Sequence, residues 1–363
     1  MTRLTWLQFR TQAVTAAVAL AAFAVLLATT GPYLASLYAA DGLDSCHGSS
    51  CLSPASYFTG SLVRSPYGVL FLLSTGIILL APAVIGLFWG APLIARELET
   101  GTADLAWNQS VTRTRWLAVK LTVIGLTAIA VTEALSLMQT WWAAPISQAA
   151  ADGSGAGVAA QGRFSQLNFA SHGITPLGYA AFAFVLGVTA GALIRRTIPA
   201  MAVTLAIFAA LQVAMPLWVR PNLAPPDHTV IPVTSLANAG PSQTGPGGDT
   251  FTFYALTIPG QPGAWLLSSG PVNAAGQATS TTPAACTSVG NTGQSAGAQG
   301  NAFPPGQGPA AFVACLASHG IREAITYQPA SRYWRFQLTE TAIYLALALA
   351  LAGYCFRRLT RLS

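Results

Sequence analysis

Six long runs of apolar residues divide the sequence, and they constrain the fold more strongly than any other feature. A helix needs roughly 20 apolar residues to cross a hydrocarbon core about 30 Å thick. The runs are continuously apolar and do not alternate, so they predict membrane-spanning helices and not the strands of a barrel. The fourth and sixth runs are short and are predicted to stand nearly upright. The predicted spans are 13–38, 67–91, 116–143, 177–194, 198–218 and 341–356.

The composition also indicates a membrane protein. Only 8% of the residues are charged and 53% are hydrophobic, whereas a soluble domain usually has about 25% charged residues. The net charge of +6 does not indicate nucleic-acid binding, because the basic residues lie at the ends of apolar runs and form no patch. The chain is rich in alanine and contains one lysine, Lys120, and sixteen arginines. This bias is typical of a high-GC bacterial genome, so we expect a bacterial plasma membrane protein.

The distribution of basic residues predicts the orientation in the membrane. With the N-terminus inside, eleven Lys and Arg residues fall on the cytoplasmic side and six fall outside. Cytoplasmic loops carry the excess of positive charge, so both termini are predicted to be cytoplasmic. The first apolar run is long and lacks a clean cleavage site, and we expect it to be retained as a span. Residues 1–12 are interpreted either as an interfacial helix or as the lead-in to that span.

The cysteines agree with this orientation. Cys46, Cys51, Cys286 and Cys315 fall outside, where disulfides persist, and Cys355 falls at the inner end of the sixth span. Local pairing predicts Cys46–Cys51 and Cys286–Cys315, although four cysteines allow three connectivities. A metal site beside Cys46 is the less favoured interpretation, because no four-ligand zinc spacing appears. We therefore predict no metal site, and we expect the four scattered histidines to be surface residues.

The segment 92–115 between the second and third spans is predicted to be a cytoplasmic loop with the densest charge in the chain. Residues 102–109 are predicted to form a short helix in which Leu105 and Trp107 are partly exposed. A short charged helix with an apolar contact suits docking into a groove of another protein. The alternative is an ordinary solvated loop flanked by arginines.

This loop carries a recognisable order of residues. An Arg-Glu-x-x-x-Gly-Thr pattern is followed by Ser-Val-x-Arg, formed here by Arg96, Glu97, Gly101, Thr102, Ser110, Val111 and Arg113. Together with the six spans, the predicted cytoplasmic termini and the N-terminal stretch, it resembles the permeases of ABC-2 type transporters over the whole membrane part. Residues 325–337, before the last span, resemble actinobacterial members of that family. The connection between the fifth and sixth spans is longer than the family usually has.

The resemblance implies an all-α membrane protein that forms half of an exporter. Two such chains, expected to be a homodimer, would face each other among the membrane lipids. A separate ABC ATPase subunit would bind ATP and Mg²⁺, so no cofactor is expected in this chain. The residues implied to couple to that ATPase are Arg96, Glu97, Glu99, Gly101, Thr102, Asp104 and Arg113.

The region 219–338 is predicted to be an extracytoplasmic domain of mixed and irregular structure, followed by the last span and a cytoplasmic tail at 339–363. Its first part contains β-branched and aromatic runs that predict strands. Residues 271–309 are nearly uncharged and rich in small polar residues, and they predict little regular structure. A short helix is predicted at 310–319, and 321–337 is predicted to lead back to the membrane. The domain is interpreted either as a gate for the outer exit or as a passive cap.

No enzymatic motif is present. The sequence has no GxxxxGK[ST], GxSxG or HExxH pattern, so the chain is predicted to be neither the ATPase nor any other enzyme. Glu133 is the one acidic residue placed well inside a predicted span, and an intramembrane carboxylate is read first as functional. We predict that Glu133, Gln139 and Gln212 line a substrate path. The alternative is that Glu133 snorkels outward or hydrogen-bonds with one of these glutamines.

These observations lead to three functional hypotheses. The first is the permease subunit of an ABC exporter that moves a lipophilic drug, antibiotic or lipid outward, as in multidrug efflux. The second is an ABC-coupled subunit that senses or transmits force through its outer domain without transport. The third is a stand-alone receptor or proton-coupled carrier, which Glu133 supports only weakly because such carriers usually show more charged groups and internal repeats.

Overall fold

The computed structural model describes residues 2–46, 48–100, 112–152, 162–235, 241–244, 250–253, 258, 260–290 and 309–360. The described part is mainly helical, with five short strands between Asp227 and Gln328. Its helices are α1 (Thr2–Ala40), α2 (Leu52–Val63), α3 (Pro66–Ile85), α4 (Ala91–Glu99), α5 (Arg113–Trp142), α6 (Ala144–Asp152), α7 (Gln166–Ser171), α8 (Thr175–Ile194), α9 (Thr197–Ala214), α10 (Ala284–Gly290), α11 (Pro309–Ser318) and α12 (Tyr333–Thr360).

Six helical stretches are long and apolar enough to cross a membrane, which confirms the predicted fold class. A π-helical turn at Gly86–Gly90 joins α3 to α4 in one stretch, and the turns Met215–Val219 and Arg220–Asn222 prolong α9. The six stretches are Phe9–Ala40, Pro66–Glu99, Thr114–Trp142, Thr175–Ile194, Thr197–Asn222 and Ala330–Arg358.

Two helix boundaries differ from the sequence prediction. The sixth span is not short, because α12 begins at Tyr333 and runs for 28 residues, or roughly 42 Å at 1.5 Å per residue. Its first turns contain Phe336, Gln337 and Glu340, which are buried by other parts of the fold. Because two of these residues are polar, a search for apolar runs does not detect this part of the helix. At the other terminus, α1 continues without a break from Thr2, so this helix begins before the predicted start of the first span at residue 13.

The bundle has two distinct ends. At the terminal end, Phe9 of α1, Ile94 of α4, Trp116 of α5 and Cys355 of α12 share one apolar cluster. At the opposite, sheet end, the start of α12 and the segment after α9 pack together through Phe164, Phe169, Ala224, Tyr333 and Phe336. The described chain near both termini and both flanks of the loop 101–111 therefore lie at the terminal end.

Helix α8 lies at the centre of the bundle, and glycines make this possible. In its most apolar window 72% of the residues are buried, against 11% in α1. A Cβ atom on Gly187 would meet the backbone of Gly86 and Gly90, and one on Gly191 would meet the carbonyl oxygen of Ala91. The π-helical turn and α4 thus pack backbone against backbone on α8, as small residues at four-residue spacing predict.

The sheet end carries a small domain. Strands β1 (Asp227–Pro232), β5 (Arg322–Gln328) and β4 (Trp265–Val272) form an antiparallel sheet in that order, and β2 (Pro241–Thr244) pairs with β3 (Thr250–Phe253). The sequence predicted β1 and β3 as strand regions and α11 as a helix. It did not predict β5, which was interpreted as a lead to the membrane but is the central strand. Helix α10 was also missed, because its composition is as polar and small as its neighbours.

Both predicted disulfides are confirmed. Cys46–Cys51 closes the segment between α1 and α2, and Cys286–Cys315 joins α10 to α11. The second bond lies within an apolar cluster of the domain that includes Phe251, Phe312 and Ile321. Cys355 is free and buried near the terminal end.

Candidate functional site

A cavity of about 360 Å³ lies between α3 and α9, over the side of α8. Its walls are mainly apolar, and its polar groups lie toward the sheet end. The lining residues are Leu79, Leu80, Ala83, Gln166, Leu167, Ala170, Tyr179, Leu205, Phe208, Ala209, Gln212, Val213, Pro216 and Arg220. The site is therefore an apolar chamber with a polar end, which suits an amphipathic or lipophilic guest.

The polar end is built around a buried ion pair. The Arg220 Nε donates to Glu340 Oε2 at 2.8 Å, and its Nη2 donates to Glu340 Oε1 at 3.0 Å. Both side chains are almost completely buried, at 1% and 0% exposure. The paired geometry satisfies both carboxylate oxygens, whereas Arg220 Nη1 has no hydrogen-bond partner among the described residues. The pair therefore offsets part of the cost of burying the two charges.

Aromatic residues also contact this ion pair. The hydroxyl of Tyr179 donates to Glu340 Oε1 at 2.5 Å, and the Arg220 guanidinium lies 3.9 Å from the ring centroid of Phe169. One turn after Glu340 on α12, the hydroxyl of Tyr344 donates to Gln212 Oε1 at 2.9 Å. Helices α8, α9 and α12 are thus joined by polar contacts at the edge of the cavity.

The sequence did not identify this network. Glu340 was placed just outside the sixth span, and Arg220 was counted among the outer basic residues. Because α12 starts at Tyr333, Glu340 lies inside the helix and is fully buried, so Glu133 is not the only acidic residue well inside a span. One feature of the sequence could have indicated this pair. Arg220 lies just after the fifth apolar run, and Glu340 lies just before the sixth.

The predicted path residues are not brought together. Gln212 lines the cavity, but Glu133 and Gln139 do not. Gln139 is fully buried on α5, and both atoms of its side-chain amide lack a hydrogen-bond partner among the described residues. Within the same part of the chain, no hydrogen bond joins Glu133 to Gln139 or Gln212. The hydrogen-bonded alternative for Glu133 is therefore not observed.

A second region of interest is α4 at the terminal end. Glu97 Oε1 accepts from Lys120 Nζ of α5 at 2.5 Å, and this ammonium group lies 4.4 Å from the ring centroid of Trp116. Glu99 Oε2 accepts from the hydroxyl of Thr197, at the start of α9, at 2.5 Å. The two carboxylates therefore hold α4 to two other spans, while Arg96 is exposed.

The other predicted coupling residues lie in the loop 101–111 or just after it. Gly101, Thr102 and Asp104 lie in 101–111, outside the described residues. Arg113 is the first residue of α5, and its side chain is also outside the described part. The structure thus locates the anchors of this loop but not its predicted short helix.

The structure changes the expectation for one histidine, His172, whereas His319 is exposed as expected and lies beside two sulfur atoms. His172 is buried at 6% exposure, not at the surface, because it lies where α7 and α8 meet. His319 lies within 4.8 Å of the sulfurs of Cys286 and Cys315, a grouping with metal-ligand atoms. Those sulfurs are joined in a disulfide, so neither is available as a thiolate ligand.

A comparison with protein families matches residues 17–220, more than half of the chain, to the family described as ABC-2 membrane transporter related. The match begins within the first span and ends within the fifth, at Arg220, so the sheet domain and α12 lie beyond it. No curated protein and no solved structure matches the chain.

Proposed function

The chain belongs to the ABC-2 membrane transporter related family, and from this premise we propose that it is the permease subunit of an ATP-driven exporter. Its cargo is a lipophilic compound such as a drug, an antibiotic or a lipid, moved outward across the membrane. The observation that carries this proposal is the cavity between α3 and α9, whose walls are apolar except at the buried Arg220–Glu340 end.

The proposed orientation puts the terminal end in the cytoplasm. It rests on the excess of basic residues near the termini and the loop 101–111, and on the two disulfides near the opposite end. In this orientation the cavity has its polar part on the outer side. A cytoplasmic ABC ATPase would meet the terminal end, where Arg96 is exposed.

The contacts of α4 suggest how such an ATPase would act on the cavity. A displacement of α4 is transmitted to α5 through Glu97–Lys120 and to α9 through Glu99–Thr197. It is also transmitted to α8, because Gly191 lies directly against Ala91. Helices α8 and α9 carry Tyr179 and Gln212 at the cavity, so a push at one end of the bundle changes the chamber at the other.

We include a second copy of the chain in the proposal. The rim of the cavity is formed by apolar side chains that are exposed in the single chain, among them Leu80 at 64% and Val213 at 58%. A homodimer that joins these faces would turn two side chambers into one central path. Such an exposed apolar face also suits contact with lipid, so the dimer needs its own measurement, for instance cross-linking between copies of a Leu80→Cys variant.

Transport by the complex with its ATPase tests the proposed function. Everted membrane vesicles would be loaded with the probe Hoechst 33342, and its fluorescence would be followed after addition of ATP. Ala209→Trp fills the cavity from α9 and is expected to lower ATP-dependent probe movement at least about tenfold, while ATPase binding is retained. Ala210→Trp is the matched control, since Ala210 is exposed on the same helix and does not line the cavity.

Three outcomes separate the hypotheses. Loss in Ala209→Trp but not in Ala210→Trp supports export through this cavity. Co-purification of an ATPase without movement of Hoechst 33342 or of a fluorescent phospholipid favours the sensing or force-transmitting subunit. Failure of any ATPase to co-purify, even after mild cross-linking, contradicts the ABC mechanism.

A further inference from the structure

A second cavity, of about 290 Å³, lies at the sheet end of the bundle, where three of the candidate spans begin or end. It is lined by Thr140 near the end of the third span, by Gly173 just before the fourth and by Tyr333 near the start of the sixth. The ends of membrane spans lie at the level of the lipid headgroups. None of the residues that line this cavity lines the cavity between α3 and α9.

Two tryptophans indicate the same level in the membrane. Trp141, in the last turn of α5, is 61% exposed, and Trp334, which lines the cavity, is 55% exposed. Tryptophan is enriched at the interface between membrane and water, because its indole has an apolar body and a polar N–H group. Both tryptophans belong to span ends that form the cavity, so the headgroups of bilayer lipids are the molecules nearest to it.

Arg163 supplies a positive charge to this cavity. Its guanidinium lies 5.1 Å from the ring centroid of Tyr333, and both residues line the cavity. Arg163 is only partly buried, and it takes part in none of the three ion pairs found among the described residues. No described Asp or Glu lines the cavity. The complementary guest is therefore an anion, because a cationic group would meet no counter-charge there.

Helix α6 adds neutral hydrogen-bonding groups and an apolar wall. Four of its residues line the cavity, namely Ala144, Ser147, Gln148 and Ala151, and their spacing of three and four residues puts them on one face of the helix. The side chains of Ser147 and Gln148 make no hydrogen bond with other described residues. A hydroxyl and an amide N–H can donate to phosphate oxygens. The cavity thus combines one cation, neutral donors and apolar surface.

We propose that this cavity binds the headgroup of an anionic phospholipid from the leaflet at the sheet end. The lipid phosphate pairs with Arg163, because a guanidinium presents paired N–H donors to phosphate oxygens. Ser147 and Gln148 bind the other oxygens of the headgroup. A volume of about 290 Å³ is at the lower limit of ordinary ligand pockets, so it holds a headgroup and leaves the acyl chains in the bilayer. The site is separate from the proposed export path and does not depend on it.

Protection of an introduced cysteine tests this proposal in the full chain. Ala144→Cys places a thiol on the wall of the cavity, while four native cysteines are joined in disulfides and Cys355 is buried. Labelling by the uncharged reagent N-ethylmaleimide is compared in nanodiscs of phosphatidylcholine and in nanodiscs of equal parts phosphatidylcholine and phosphatidylglycerol. We expect phosphatidylglycerol to slow labelling at least about fivefold, as for a site that is about four-fifths occupied.

Three variants assign the effect to the cavity. Arg163→Gln, combined with Ala144→Cys, is expected to remove the protection. Arg335→Gln is the matched control, because it removes the same charge from an exposed position of α12 outside the cavity, and it is expected to keep the protection. Ser331→Cys, also exposed and outside the cavity, is expected to be labelled at the same rate in both nanodiscs.

Equal labelling of Ala144→Cys in the two nanodiscs overturns the proposal. This comparison leaves Arg163 unchanged, so a folding defect in Arg163→Gln does not protect the proposal. Protection that survives in Arg163→Gln, or that is equally strong at Ser331→Cys, also overturns it. Soluble glycerol phosphate, added to phosphatidylcholine nanodiscs, is the probe for a free anion. If it protects Ala144→Cys as strongly as phosphatidylglycerol does, the cavity is a site for a soluble anion and the lipid proposal is wrong.

Discussion

The Arg220–Glu340 pair shows what single residues contribute to this fold. Each side chain would be costly to bury alone, and each becomes acceptable only because the other lies within hydrogen-bonding distance. The pair joins the end of α9 to α12, two spans that are separated in sequence by the sheet domain. Its position at the cavity makes it both a structural link and the polar end of the proposed path.

The first prediction concerns this pair. Glu340→Ala leaves a buried guanidinium without its carboxylate and is expected to lower the free energy of unfolding by about 3–5 kcal/mol. The double variant Arg220→Leu with Glu340→Leu is expected to lose less, because no charge remains buried. Unfolding of the full chain by SDS in mixed micelles measures both effects.

The exposed pair Arg332–Asp227 is the control for that experiment. Its side chains are 26% and 43% exposed, so Asp227→Ala is expected to cost less than about 1 kcal/mol. If the double variant is as unstable as Glu340→Ala, the uncompensated charge is not the cause of the loss.

At the scale of elements, the packing of α8 against the π-helical turn and α4 organises the bundle. Gly86 and Gly90 on one side and Gly187 and Gly191 on the other allow the backbones to touch. A π-helical turn inserts an extra residue into a helix and is often found at functional positions. Here it lies between the cavity wall on α3 and helix α4.

The second prediction tests this contact. Gly187→Ala places a methyl group against the backbone of Gly86 and is expected to destabilise the full chain by about 1–3 kcal/mol. Gly76→Ala, on α3, adds a methyl group with no atom within 4 Å. It is expected to be neutral or to stabilise by up to about 1 kcal/mol, because alanine favours helix. Thermal unfolding in detergent compares the two, and equal effects would contradict the close-packing account.

At the scale of the whole molecule, the first five spans lie largely within the match to a known family, and the sheet domain and the sixth span lie beyond it. The two parts meet in an aromatic cluster in which Phe164 stacks on Trp265 at 5.6 Å and contacts Phe336 edge-on at 5.7 Å. The domain is further connected by the backbone hydrogen bond from Gly263 to Ala151. The sheet domain is therefore in direct contact with the start of α12, so a structural change in the domain acts directly on that helix.

The third prediction concerns the pH dependence of the sheet domain. Glu323 lies on the central strand β5 and is 0% exposed, and burial raises the pKa of Glu323 from 4.5 to about 7. A carboxyl group whose pKa is raised by folding stabilises the fold in its protonated form, and this stability is lost as the pH rises through about 7. The domain is expected to be about 1–3 kcal/mol more stable at pH 5 than at pH 8.

Hydrogen exchange of the β4 and β5 amides, corrected for the intrinsic effect of pH, measures this difference in the full chain. Glu323→Gln is expected to remove most of the pH dependence while keeping the protection seen at pH 5. Protection that changes equally with pH in Glu323→Gln would assign the effect to another group.

The sequence by itself determined the class of fold and the number of spans. Runs of apolar residues can be stable only in lipid or in a core, and a backbone in lipid must satisfy its hydrogen bonds within a helix. The order of residues from Arg96 to Arg113 indicated the family that the comparison matched. Pairing of neighbouring cysteines was also sufficient, since both disulfides join residues close in sequence, at separations of 5 and 29.

Only the tertiary structure decided which polar residues share a site. Glu340, Tyr179 and Arg220 come from three separate stretches of helix, so no local pattern in the sequence reveals that they meet. The sequence prediction missed the start of α12 for the same reason. The polar residues of its first turns are buried against residues far away in the sequence, and they do not belong to an apolar run. Burying a polar group is costly unless it has a hydrogen-bond partner. The packing of helices determines which residues become such partners, and the neighbouring residues in the sequence do not.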